Sequence, residues 1–119
     1  MPLEEDEAAY LWDMLSAAHE TQEILGTMSF EEFKSDTKVM RAIERCIEIV
    51  GEAARRVSKE TQQFHAEIPW SDIIGQRNVI AHKYGQIDYE VLYKTVTGDL
   101  PQLIGVLERL LEKDNPETP

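Results

Sequence analysis

The stretch DTKVMRAIERCIEIVGEAARRV, residues 36–57, decides the fold. Val39, Ile43, Cys46, Val50, Ala53 and Val57 recur at steps of four, three, four, three and four. That spacing lays apolar side chains along one stripe of an α-helix, a seam for a neighbouring helix. Asp36 stands where an N-cap is wanted, its carboxylate within reach of the first unpaired backbone N–H groups. Gly51 interrupts the seam at a cost of about 1 kcal/mol relative to alanine. A second backbone approaching closely at that point would account for it.

Working outward, the neighbouring segments read as helix too. From Glu4 to Leu25, one stripe carries Leu11, Leu15, Ala18 and Leu25, and a second carries Tyr10, Met14, Ala17 and Ile24. Acids Glu4 to Glu7 occupy the first turn, where the helix dipole favours negative charge, and Gly26 supplies a stop. Ser29 and Glu32 form a capping-box signature for a short helix, Phe30 to Lys34. On the other side, residues 59–66 predict one or two helical turns. Pro69 suits a first turn, and Trp70 to Lys83 continue the pattern until Gly85. Asp88 caps a helix from Tyr89 to Thr97. Gly98, Asp99 and Pro101 predict a break or kink before a last helix, Leu100 to Lys113, and residues 115–119 read as a frayed tail. No segment keeps a strand alternation. The expectation is an all-α domain spanning 1–119, an antiparallel up-and-down bundle of four main helices with short extra ones.

The 119 residues suit one domain, and 42% hydrophobic with 29% charged residues is globular composition. A lone cysteine, Cys46, excludes an intramolecular disulfide and fits a reducing cytosol. No apolar run approaches the ~20 residues of a membrane span. A soluble cytoplasmic protein is predicted. The net charge of -11 argues against nucleic acid at first sight, but it is uneven. Residues 1–32 hold nine acids and no base; residues 34–59 hold seven bases against four acids; residues 60–119 hold five bases and ten acids. RNA would meet a basic surface only if the fold kept the acidic segments away from it.

Chemistry-bearing patterns are few. His19, His65 and His82 have no second histidine at metal spacing, and no HExxH, CxxC or EF-hand pattern occurs, so neither metal nor cofactor is expected. Cys46 belongs to the apolar seam. The exception is RNVIAHKY, residues 77–84. Asn78 and His82 share a helix face, and Arg77 and Tyr84, seven apart, nearly eclipse. A histidine titrates near neutrality, and an arginine is a fixed cation matched to phosphate oxygens. Together they suit phosphoryl chemistry; the spacing alone is equally met by a polar helix end.

RNVIAHKY resembles the R-x-x-x-x-H-x-Y motif, with asparagine after the arginine, of HepT-like toxins in the HEPN ribonuclease superfamily. IPWSDIIGQ (68–76) upstream and GQIDYEVLYKTVTGDLPQL (85–103) downstream are similar to the stretches flanking that motif. MSFEEF (28–33) and EIVGEAARRVS (48–58) resemble the family's first connector and central helix. The similarity covers about residue 10 to residue 112. Two features depart from the pattern. Val79 to Ala81 lack a basic residue common there, with Lys83 in place of a small one, and Tyr93 stands where tryptophan is frequent.

The resemblance implies an all-α homodimer whose two motifs meet in a cleft and cut RNA without metal. By that resemblance Arg77, Asn78 and His82 are catalytic, while Lys83 and Tyr84 contact the substrate. The family is the toxin half of a two-gene system. Its antitoxin, a minimal nucleotidyltransferase, adenylylates the motif tyrosine, here Tyr84. The alternative from another class is a non-catalytic helical partner or nucleotide-binding module of a nucleotidyltransferase.

Overall fold

The apolar stripes predict which faces close on each other, and the computed structural model shows them closed. It describes residues 4–80 and 87–114, with side chains for 4–75 and 87–112. Helix α1 runs Glu5–Leu25, α2 Phe30–Lys34, α3 Thr37–Arg56, α4 Lys59–Phe64, α5 Trp70–Ile80, α6 Tyr89–Lys94 and α7 Leu100–Asp114. The fold is all-α, a bundle of four main helices (α1, α3, α5 and α7) with short helices between them. The last residues expected in α5, Ala81 to Lys83, and the tail 115–119 lie outside the described residues.

Local signals set the boundaries. Gly26 ends α1 at φ 55°, a left-handed conformation in which a side chain would be strained. The Ser29–Glu32 capping box is complete: Ser29 Oγ accepts from the Glu32 N–H, and the Ser29 N–H donates to Glu32 Oε1 at 2.9 Å. Asp36 accepts from the Val39 N–H at 3.1 Å, and Asp88 accepts from the N–H groups of Glu90 and Val91. Ser58 caps α4 through the Thr61 N–H.

Packing centres on α1 against α3, the most extensive helix contact among the described residues. Leu11, Met14, Ala18, Ile43 and Ala54 have no exposure at all, and Ala17 and Ala53 are nearly as buried. α7 closes the other side of α1 with Leu103, Leu107 and Leu111. Thr21 is a buried hydroxyl that donates to the Ala17 carbonyl at 2.7 Å, which satisfies it within its own helix. Phe33 anchors α2, with its ring 5.6 Å from Tyr93 and 6.2 Å from Tyr89.

One boundary differs from expectation. The helix expected over Tyr89–Thr97 ends at Lys94, and the break or kink expected at Gly98 to Pro101 takes the form of a π-helical turn, Thr95–Asp99, leading directly into α7. The Leu100 N–H reaches the Thr95 carbonyl, five residues back. Pro101 has no N–H to offer the preceding turn, and a widened turn carries the chain past it without leaving helix. Burial of Thr95 and Val96 holds this turn against the core.

Candidate active site

The motif helix begins with a well-fixed entry. Trp70 is buried, and its indole N–H donates to the His65 carbonyl at 3.0 Å. Ile68 beside it is buried too, and the Ile73 N–H donates to the Pro69 carbonyl at 3.0 Å, opening α5 directly after the proline. α5 then crosses α3 where Gly51 sits. A Cβ there would stand 3.5 Å from the Ile73 carbonyl oxygen. The helix that carries the motif does pass Gly51, but at an ordinary contact distance that leaves room for a Cβ, so close approach does not by itself account for the glycine.

Arg77 and Asn78 lie on α5. His82, Lys83 and Tyr84, and with them the geometry of the predicted catalytic pair, lie outside the described residues. What surrounds the helix is described. Between α3, α5 and α6 opens a groove of about 130 Å³. Its floor is Ile47, Ile73, Ile74, Ile87 and Leu92, and its rim is Glu44, Glu48, Glu52 and Arg55. The Tyr89 hydroxyl donates to Glu44 Oε2 at 2.7 Å. Burial, reinforced by that carboxylate, pushes the Tyr89 hydroxyl above its ordinary range, so it stays a neutral donor. Arg45 pairs with Glu48 at 3.1 Å and Glu52 at 3.4 Å, all three exposed.

The electrostatic condition set by the sequence is not met along the C-terminal half of α3. The acid-only segment forms the helix packed most closely on the basic one. Arg56 shares one groove with Asp13, Glu20 and Glu52, and another with Glu4, Asp6 and Glu7. Glu7 accepts from the Ser58 N–H and the Thr61 hydroxyl, both at 2.9 Å. Its partial burial works to raise its pKa, but hydrogen bonds from Ser58 and Thr61 outweigh that and hold it below the usual carboxylate range. This tie between α1 and α4 joins residues 51 apart, and no local sequence signal points to it.

Other reactive groups are placed plainly. Cys46 is buried in the α3 seam; burial pushes its thiol up, so it is a packing residue rather than a nucleophile. His19 stands 3.6 Å from Glu108 of α7, and His65 stands 3.7 Å from Glu67. Tyr93 closes the first connector by donating to the Met28 carbonyl at 2.8 Å.

Residues 14–110 match the model of the HepT-like ribonuclease family. The chain belongs to that family. A candidate RNase of Methanocaldococcus jannaschii is 34% identical over 82% of this chain and 90% of its own length. A candidate HepT ribonuclease of Thermococcus cleftensis is 37% identical over 85% of this chain and 92% of its own. A candidate RNase of Caldanaerobacter subterraneus subsp. tengcongensis is 31% identical over 88% and 94%. No solved structure matches the chain. The all-α bundle with α5 as its motif helix is thus a HepT-like fold of the HEPN type. Among the described residues, no helix is long and apolar enough to cross a membrane.

Proposed function

We propose that this HepT-like protein is a metal-independent RNA endonuclease, the toxin of a toxin–antitoxin pair. The observation that carries the reading is Arg77-Asn78-x-x-x-His82-x-Tyr84, lying within the matched residues and opening on α5. In the reaction the RNA 2′-hydroxyl attacks the adjacent phosphorus, and the bond to the 5′-oxygen breaks. A 2′,3′-cyclic phosphate and a free 5′-hydroxyl result. His82 serves as the proton-transfer group, taking the 2′-hydroxyl proton or giving one to the departing 5′-oxygen. Arg77 supplies positive charge where the phosphorane oxygens gain negative charge. Asn78 holds a phosphate oxygen or fixes the imidazole, and Lys83 and Tyr84 contact the RNA backbone. Separate acid and base roles call for two histidines, which a symmetric homodimer supplies from its two chains. The cognate partner is a minimal nucleotidyltransferase that adenylylates Tyr84, placing a negative phosphate in the path of the RNA.

The test is cleavage of an RNA and of the matching DNA by the purified chain in EDTA. RNA cut to cyclic-phosphate ends, DNA left intact and activity lost in His82→Ala support the reading. An absolute requirement for a divalent cation, or full activity in His82→Ala, overturns it. The non-catalytic reading, a helical partner of the nucleotidyltransferase, draws support from the acids that α1 places beside α3. Adenylylation at Tyr84 without any RNA cleavage by the unmodified chain would favour it.

A further inference from the structure

Two tryptophans occupy opposite situations. Trp70 is buried with its N–H bonded, whereas Trp12 stands 50% exposed in the middle of α1. A half-exposed indole on a regular helix forfeits much of the burial that makes tryptophan useful in a core. Its neighbours one turn away, Ala9 and Ser16, are small and exposed, so the ring can be approached from outside. Glu5 and Glu23 lie seven and eleven positions from Trp12, on the same line of the helix. His19, seven positions beyond Trp12, shares that line and stands by Glu108, while Asp13 and Glu20 lie together to one side, in the groove they share with Arg56. All four acids are exposed, and no base occurs anywhere in residues 1–32.

We propose that this outward face of α1 docks a basic amphipathic segment of another protein. Trp12 is the anchor that packs on the apolar stripe of that segment, and lysine or arginine side chains toward its two ends pair with Glu5 and Glu23. A buried aromatic ringed by polar contacts is the usual make-up of an interface hot spot. Charge selects the occupant. An RNA backbone is repelled by these carboxylates, and a second copy of the same face would set acid against acid. The surface lies outside the motif residues 77–84, so the inference stands independently of the nuclease reading.

The probe is a helical peptide of lysine and leucine at amphipathic spacing, compared with a glutamate–leucine peptide of equal length, against the full chain. The lysine peptide is expected to bind with a blue shift of tryptophan emission, and the glutamate peptide not to bind. Trp12→Ala should weaken binding about tenfold or more, as loss of an anchor does. Glu5→Gln/Glu23→Gln should weaken binding and flatten its salt dependence. Neither variant changes a buried residue, and RNA cleavage by both should equal wild type. Equal binding by Trp12→Ala would reduce the effect to diffuse charge and overturn the proposal. So would self-association of the wild type that Trp12→Ala abolishes, which would make a second copy the occupant.

Discussion

The α1–α3 pair and the α5–α6 side are built on different terms. Along α1 and α3 both helices are about twenty residues long, their apolar stripes are continuous, and alanines let the backbones lie close. On the other side α5 is described over Trp70–Ile80, and α6 has 6 residues. Their junction with α3 leaves a groove lined by the buried Ile47 and Ile73 and the partly exposed Ile74 and Ile87. A helix as short as α6 is marginal alone and depends on tertiary support. The first region supplies stability; the second presents the motif helix on a support with room beside it. On the proposed nuclease reading, a site that must admit RNA sits on the looser side.

The comparison breaks most sharply in activity. His82→Ala and Arg77→Ala should each lower RNA cleavage by ~10²–10⁴ while leaving the thermal transition of the bundle unchanged, as circular dichroism would show. A large loss of helix would instead place these residues in the structural half. In the other direction, Ile43→Ala in the closed seam should cost about 2–5 kcal/mol in urea unfolding. Ile74→Ala, which only lines the groove, should cost markedly less. Equal losses would erase the distinction between the two regions.

Two smaller effects sharpen the boundary. Gly51→Ala should stabilise α3 by up to ~1 kcal/mol through helix propensity, because the added methyl meets the Ile73 carbonyl at ordinary contact distance, 3.5 Å. A destabilised variant would show that α5 seats more tightly on α3 than this. Smallest is the pH effect of Glu7, whose carboxyl is held below its usual 4.5. With a depressed folded pKa, its stabilisation is complete above the unfolded value and lost as pH falls through the folded one. Glu7→Gln should therefore be less stable than wild type at neutral pH, with the gap closing in acid below the usual carboxylate value. A gap constant with pH would show that the Ser58 and Thr61 bonds do not depend on the charge.

Much of this was legible in the sequence, for identifiable reasons. Caps at Ser29, Asp36 and Asp88 are local, since the side chain and the N–H it serves lie within three residues, and each was read correctly. The α1 and α3 stripes were legible because both helices run long enough to repeat their period several times. The π turn was not, because glycine and proline together report only that a regular turn cannot continue, not that a wider one can. The link from Glu7 to Ser58 was invisible for want of any local signature. The motif at 77–84 was legible as chemistry only through its resemblance to a family. The basic tract of 34–59 was read correctly as composition; which helix would lie against it was a tertiary fact.

The π turn at Thr95–Asp99 also sets a phase. A wide turn holds one residue more than the α-helix it interrupts, and one residue is about 100° of rotation. The direction in which Leu103, Leu107 and Leu111 face is therefore fixed by a residue count upstream of them. Deleting Gly98 would remove the extra residue and the wide turn together and leave that leucine row facing α1, whereas closing the turn with all its residues kept would rotate the row about a quarter circle away, although no buried side chain had been altered. The last helix is aimed by arithmetic in the connector before it.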